Sequence, residues 1–117
     1  MSDCCENLPP DCCDMRGLLS FSLLWLLTKG DKYGQELADD LERMRGSRPT
    51  PGTLYPALNE LEKAALVETR QEGRKKVYRL TESGREGVVK ACEYFCQCYG
   101  DIFKEFAPKY EPGQTSE

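Results

Sequence analysis

Histidine is absent from the 117 residues of this chain. That removes a His general base, a Ser–His or Cys–His nucleophile pair and an imidazole ligand for zinc. No apolar run approaches the ~20 residues needed to cross a bilayer. The longest, Leu18 to Leu27, is interrupted by Ser20 and Ser22. An N-terminal basic segment leading into an apolar stretch is also missing, so no signal peptide is expected and the chain reads as cytoplasmic, with no membrane partner. There is no Gly-rich phosphate loop and no C-x-x-C pair, which argues against kinase, dehydrogenase, hydrolase and thiol-oxidoreductase readings. No enzyme is expected. A single domain of this length can bury enough surface to fold without staples.

Five elements can be read from what is present. Residues 1–14 form a short acidic, thiol-rich arm with Pro9-Pro10 and no periodicity, read as extended. From about Met15 to Lys29 the chain is apolar. Leu18, Leu19, Leu23, Leu26 and Leu27 share a helical face with Trp25 beside it, and Gly30 is a fitting stop. Asp31 is a candidate cap for a second helix, whose inward face is Tyr33, Leu37, Ala38, Leu41 and Met44. Gly46 to Pro49 breaks it. Thr50-Pro51 reads as cap and first turn of a third helix, with Leu54, Leu58 and Leu61 inward up to about Ala64. Pro56 removes one backbone donor from its second turn.

Val67–Gln71 and Lys75–Leu80 then read as a β-hairpin around Glu72-Gly73-Arg74. Thr81 caps a last helix, residues 82–107, with Val88, Cys92, Phe95, Tyr99, Ile102, Phe103 and Phe106 on one stripe. Residues 108–117 read as a flexible tail. The expected fold is mainly α with a small β-hairpin: a winged helix-turn-helix domain, residues 15–81, plus a long C-terminal dimerisation helix. So small a domain has little core left to cover that helix. A homodimer built on the stripe is therefore expected.

The net charge of −4 hides an asymmetry. Residues 43–85 carry ten Lys and Arg against five Asp and Glu, a net +5, so the rest of the chain carries −9. The basic excess falls on the third helix and the hairpin tip. Arg74, Lys75 and Lys76 at that tip suit phosphate contacts, which give salt-dependent affinity without sequence choice. Arg48 and Thr50 lead into the third helix, and the N–H groups of Gly52 and Thr53 suit a phosphate at its start. Thr53, Tyr55 and Asn59 point away from the leucine stripe, toward phosphates or base edges. A packing role for Tyr55 is the alternative.

Three stretches resemble the PadR-like family of transcriptional repressors: Tyr33-Gly34-Gln35-Glu36-Leu37, Thr50-Pro51-Gly52-Thr53-Leu54-Tyr55-Pro56-Ala57-Leu58, and Arg74-Lys75-Lys76-Val77-Tyr78-Arg79-Leu80-Thr81. The resemblance covers roughly residues 16–86. It implies a winged-helix dimer of the short subgroup, with a single C-terminal helix, that binds double-stranded DNA at a palindromic operator and represses. It also implies that a small planar ligand can lie between the first and last helices, where Trp25, Tyr94, Phe95 and Tyr99 fall by position. Ordinary packing is the other role open to Trp25 and Phe95.

The seven cysteines depart from that pattern. Cys4-Cys5 and Cys12-Cys13 lie in the arm, and Cys92, Cys96 and Cys98 on the last helix. With no histidine, only thiolates are available as soft ligands, for a thiolate-bound metal or a metalloid such as arsenite. Spacings typical of structural zinc are missing. Metal, metalloid or redox sensing through Cys4, Cys5, Cys12, Cys13, Cys92 and Cys96 is one reading, and small buried residues beside an incidental arm the other. A different class of function also stays open: a thiol-based metal-binding or redox protein that uses the winged helix as an interaction module.

Overall fold

The apolar run before Gly30 folds as the central helix of the domain. A computed structural model describes residues 18–106, so the expected arm and tail lie outside the described residues. Helix α1, Leu19–Leu27, buries Leu19, Leu23, Leu24, Leu26 and Leu27 and leaves Trp25 exposed. A helix apolar on nearly every side has to be enclosed. Helices α2, α3 and α4 and strand β3, described below, all pack on it. The helix ends two residues before the expected Lys29. Lys29 N–H donates to the Leu26 carbonyl at 3.1 Å and Gly30 N–H to that of Leu27 at 3.2 Å, tightening the last turn.

The next helix, α2, is Gly34–Arg45, and here the sequence expectation needs correcting at both Asp31 and Tyr33. Asp31 is no cap, because its carboxylate accepts from Arg70 at 2.9 Å. Lys32–Tyr33 form a two-residue strand, β1, and the Tyr33 N–H is satisfied by the Glu36 carboxylate at 2.8 Å. Leu37, Ala38 and Leu41 are buried as expected, whereas Met44 is exposed.

Helix α3 spans Pro51–Lys63, and Leu54, Leu58 and Leu61 are its buried stripe. Its start matches the Thr50-Pro51 signal, but the Thr50 hydroxyl bonds the Thr53 hydroxyl at 3.2 Å instead of capping a backbone N–H. The Thr50 carbonyl accepts from Thr53 and Leu54 N–H, each at 2.9 Å. Pro56 lies inside the helix on an exposed position and has no N–H to offer the carbonyl of Gly52, itself an exposed residue.

Strands β2 (Val67–Glu72) and β3 (Lys75–Leu80) pair antiparallel, Val67 with Leu80 through Glu72 with Lys75. The loop is therefore the two residues Gly73-Arg74. Gly73 has φ 63° and Arg74 is not left-handed, which fits a type II′ turn with glycine first. A third strand was not legible in the sequence: β1 pairs with β3, Lys32 with Tyr78 and Tyr33 with Val77, giving the sheet order β1-β3-β2. A lone hairpin is marginal in water, and the added strand braces it.

Helix α4, Glu82–Phe106, is joined to α3 by a small knot of bonds. The Thr81 hydroxyl donates to the Ala65 carbonyl at 2.7 Å and accepts from Gly84 N–H at 3.0 Å. Thr81 N–H donates to the Leu66 carbonyl at 3.1 Å. A Cβ on buried Gly84 would collide with that Leu66 carbonyl, so only glycine lets α4 start this close.

Helix α3 itself ends in a Schellman turn: Leu66 N–H donates to the Leu61 carbonyl and Ala65 N–H to that of Glu62, both at 3.0 Å. Ala65 occupies the left-handed position, φ 63°, where glycine is preferred. Left-handed backbone costs a non-glycine residue ~1–2 kcal/mol, and glycine returns ~0.4–1 kcal/mol through its freer unfolded chain. Ala65→Gly should therefore stabilise the domain by roughly 0.5–1 kcal/mol, a rise of a few degrees in Tm by thermal melting. A lower Tm would contradict the left-handed turn.

Candidate nucleic-acid interface

The middle of α3 and the tip of the β2–β3 hairpin face each other across a notch of about 360 Å³. Tyr55 and Asn59 line it from α3, Arg74, Lys75 and Lys76 from the wing, and Tyr33, Gly34 and Gln35 from the start of α2. Five residues expected from sequence to touch DNA are thus gathered on one concave surface. Thr50, Gly52 and Thr53 are exposed at the start of α3. Nothing in the chain's own packing requires glycine at position 52, since a Cβ there would meet only the Thr50 hydroxyl, at 3.9 Å. What the glycine does provide is bare backbone at a helix N-terminus, where N–H groups and the dipole favour an anion.

Tyr55 is half-buried, its ring packed against the core, so its packing and notch-lining roles coexist. The contact that seats it is with Gly34. A Cβ there would lie 2.6 Å from the Tyr55 hydroxyl oxygen, so a side chain would push α3 away from α2. The Tyr-Gly motif and the Thr-Leu-Tyr-Pro motif are two halves of one contact.

The electrostatics are more selective than composition suggests. Of the ten cations in residues 43–85, five are tied up. Arg43 pairs with Asp40, Arg48 with Asp39 at 2.6 Å, Lys63 with Glu60 at 3.9 Å, Arg70 with Asp31 at 2.9 Å and Arg79 with Glu68 at 3.6 Å. Among the described residues, Arg45, Arg74, Lys75, Lys76 and Arg85 enter no ion pair. Three of these five sit at the wing tip, which is where the uncompensated positive charge is concentrated.

Arg48 is placed differently from the expectation that it faces DNA. Its guanidinium bonds Asp39, Glu42 at 3.2 Å and Gln35 at 2.8 Å. The bonds to Asp39 and then Glu42 hold it more firmly protonated than a free arginine. It touches the notch only through Gln35.

Tyr33 is the notch residue that sequence reasoning assigned elsewhere, to the inward stripe of α2. Its hydroxyl donates to Glu72 Oε1 at 3.2 Å. That bond to Glu72, and the charge of the same carboxylate, keep the phenol above its ordinary range. The Lys75 ammonium rests 5.0 Å from the centre of the Tyr33 ring, and that of Lys76 5.9 Å from the Tyr78 ring. The available signal was Gly34, which marks a tight helix entry after Tyr33.

The residues expected at an interface or effector site lie on α1 and α4. Val88 needs correcting, because it is buried in its own chain's core and is not part of an open stripe. Phe95 packs edge-on against Phe21 of α1 at 5.0 Å and stacks with Tyr99 at 6.2 Å. Trp25 is capped by Lys29, 4.6 Å from its ring centre. Beyond Phe95 the stripe is bare: Ile102, Phe103 and Phe106 are 53, 65 and 78% exposed. Cys92, Cys96 and Cys98 are exposed free thiols, not small buried residues. The neighbouring Cys98 thiol raises the Tyr94 phenol above its usual range. Among the described residues no three cysteine or acidic side chains assemble as a metal site. Cys4, Cys5, Cys12 and Cys13 lie outside the described residues.

Residues 23–90 match the transcriptional regulator PadR-like family. The chain is 34% identical to the transcriptional regulator Rv3488 of Mycobacterium tuberculosis over 79 residues, 64% of this chain and 73% of that one. It is 36% identical to the transcriptional regulator YqjI of Escherichia coli over 73 residues, 60% of this chain and 35% of that one. It is 43% identical to the transcriptional activator GvpE1 of Halobacterium salinarum over 61 residues, 51% of this chain and 32% of that one. The chain thus spans about a third of the length of GvpE1 and YqjI. In structure it is similar to a transcriptional regulator from Clostridium thermocellum, with TM-score 0.70 and 28% identity over 77% of this chain and 94% of that one. A PadR family regulator from Clostridium difficile shares the fold, with TM-score 0.65 and 24% identity over 78% of this chain and 99% of that one. The winged helix, its notch and these likenesses agree: the chain belongs to the PadR-like family of transcriptional regulators.

Proposed function

We propose that this protein is a dimeric, sequence-specific DNA-binding repressor whose α3 and wing contact one half-site each of a palindromic operator. The observation that carries the reading is the notch, where Arg74, Lys75 and Lys76, three cations without an ion pair among the described residues, face Tyr55 and Asn59. Helix α3 enters the major groove by its N-terminal end. Gly52 and Thr53 meet phosphate there, and Asn59 and Tyr55 lie toward base edges. The wing follows the flanking backbone. Its cations supply affinity and salt dependence, and α3 supplies the choice of sequence. Repression follows from occupancy, since a compact dimer on an operator excludes other proteins from that stretch.

Dimerisation is proposed through the far half of α4. Ile102, Phe103 and Phe106 form an exposed apolar stripe that a second copy would cover. Two half-sites about one helical turn apart then match two recognition helices held at fixed spacing. Effector input is proposed through thiols, Cys92 and Cys96 on α4 together with Cys4, Cys5, Cys12 and Cys13. Bound metal, metalloid or oxidation there would change the spacing of the two DNA-binding units.

Three outcomes are expected. Lys75→Ala with Lys76→Ala should weaken binding to a duplex selected by the wild type. It should also lower the slope of log K against log salt by about one unit per lysine; an unchanged slope would remove the wing from the interface. Phe103→Asp, at a side chain remote from the chain's own core, should give a folded monomer by sedimentation, and a persistent dimer would refute the α4 interface. Native mass spectrometry of reduced protein with Zn²⁺, Cu(I) or arsenite should show defined adducts that vanish when Cys4, Cys5, Cys12 and Cys13 become serine. Bare protein with every ion, together with unchanged DNA binding after oxidation, would end the thiol reading.

A further inference from the structure

Glu72 and Lys75 are directly opposed across the wing's two-residue turn. Opposite charges in that position ordinarily pair. Here they do not. Glu72 Oε1 accepts from the Tyr33 hydroxyl at 3.2 Å and Oε2 from Arg70 Nε at 2.9 Å, so each carboxylate oxygen already has a partner other than Lys75. Arg70 is itself held at its other end by Asp31, at 2.9 Å. The Lys75 ammonium lies instead on the face of the Tyr33 ring, 5.0 Å from its centre, and lines the notch. One side chain, Tyr33, thus takes the acid with its hydroxyl and offers the lysine its π face.

Resting on the DNA-binding reading above, we propose that Tyr33 is a positioning residue for the DNA interface, keeping the Lys75 ammonium out of an ion pair with Glu72 and available to a DNA phosphate. The backbone makes Tyr33 suited to this. It is fixed from two sides, by strand pairing with Val77 and by the Glu36 bond to its N–H at 2.8 Å. The backbone that carries the ring is thereby anchored beside the three adjacent cations of the wing tip. An ammonium over an aromatic face keeps most of its charge open to an incoming anion. An ammonium locked on a carboxylate must break that pair before it can neutralise a phosphate.

Tyr33→Phe tests this directly, because it keeps the ring and removes only the bond to Glu72. Binding of the variant to a labelled duplex selected by the wild type is measured across a salt series. Affinity should fall severalfold at low salt and the salt slope should drop by about one unit, as for Lys75→Ala. Adding Glu72→Gln to Tyr33→Phe should restore both, because the competing charge is gone. A loss that Glu72→Gln does not rescue would mean a general structural role and overturn the proposal. An unchanged Tyr33→Phe slope beside a reduced Lys75→Ala slope would overturn it too, while leaving the wing as a DNA contact. If Lys75→Ala also leaves the slope unchanged, the proposal and the wing assignment fall together.

Discussion

The close approach of Gly34 to Tyr55 is the constraint on which the DNA-facing side of this fold depends. Helix α2 begins at Gly34, and the Tyr55 hydroxyl would stand 2.6 Å from any Cβ placed there. Without that approach α3 could not lie against the start of α2, and the notch between α3 and the wing would not close to its present shape. The same short segment works in the other direction. Lys32 and Tyr33 pair with β3 and brace the hairpin. Residues 32–34 therefore hold α3 on one side and the wing on the other. The two surfaces proposed to contact one duplex are referenced to a single piece of backbone.

The opposite end of α3 is tied just as tightly. Ala65 and Leu66, which close α3, are bonded to Thr81, and Gly84 sits against the Leu66 carbonyl. Helix α4 thus leaves the domain at an angle set by the end of α3. In the proposed dimer, a change in how two copies of α4 meet would be passed through this joint to α3, and so to the spacing of the two proposed DNA-binding surfaces. A regulator that responds through its dimer helix needs such a stiff connection, because differential affinity for two spacings works only if the spacings are well defined.

Much of this was legible in the sequence, and for identifiable reasons. The leucine spacing of α3, the Thr50-Pro51 start and the aromatic stripe of α4 are periodic signals, and periodicity survives folding. Thr81 as a cap and the basic wing were read from residue type alone. What could not be read depends on contacts distant in sequence. Strand β1 has two residues and exists only because β3 lies beside it. Asp31 looked like a cap because a local partner was all the sequence offered, and its actual partner, Arg70, lies 39 residues away. Arg48 and the wing cations were indistinguishable as charges. Only the fold shows that Asp39 and Glu42 hold the first and that Arg74, Lys75 and Lys76 find no ion pair among the described residues. Val88 belongs to the same stripe as Phe103, and only the length of the core decides where that stripe emerges from its own chain.

The central claim is that DNA lies across the notch, touching the start of α3 and the wing tip at once. Backbone amide chemical shifts, followed as a selected duplex is titrated into the labelled protein, test it most directly. The account predicts the largest changes at Gly52, Thr53, Tyr55, Asn59 and Arg74 to Lys76, with little change at Thr28, Gly30 and Glu82, which line a separate depression outside the notch. Shifts centred on that second depression, or on α4 with the notch residues unmoved, would contradict it.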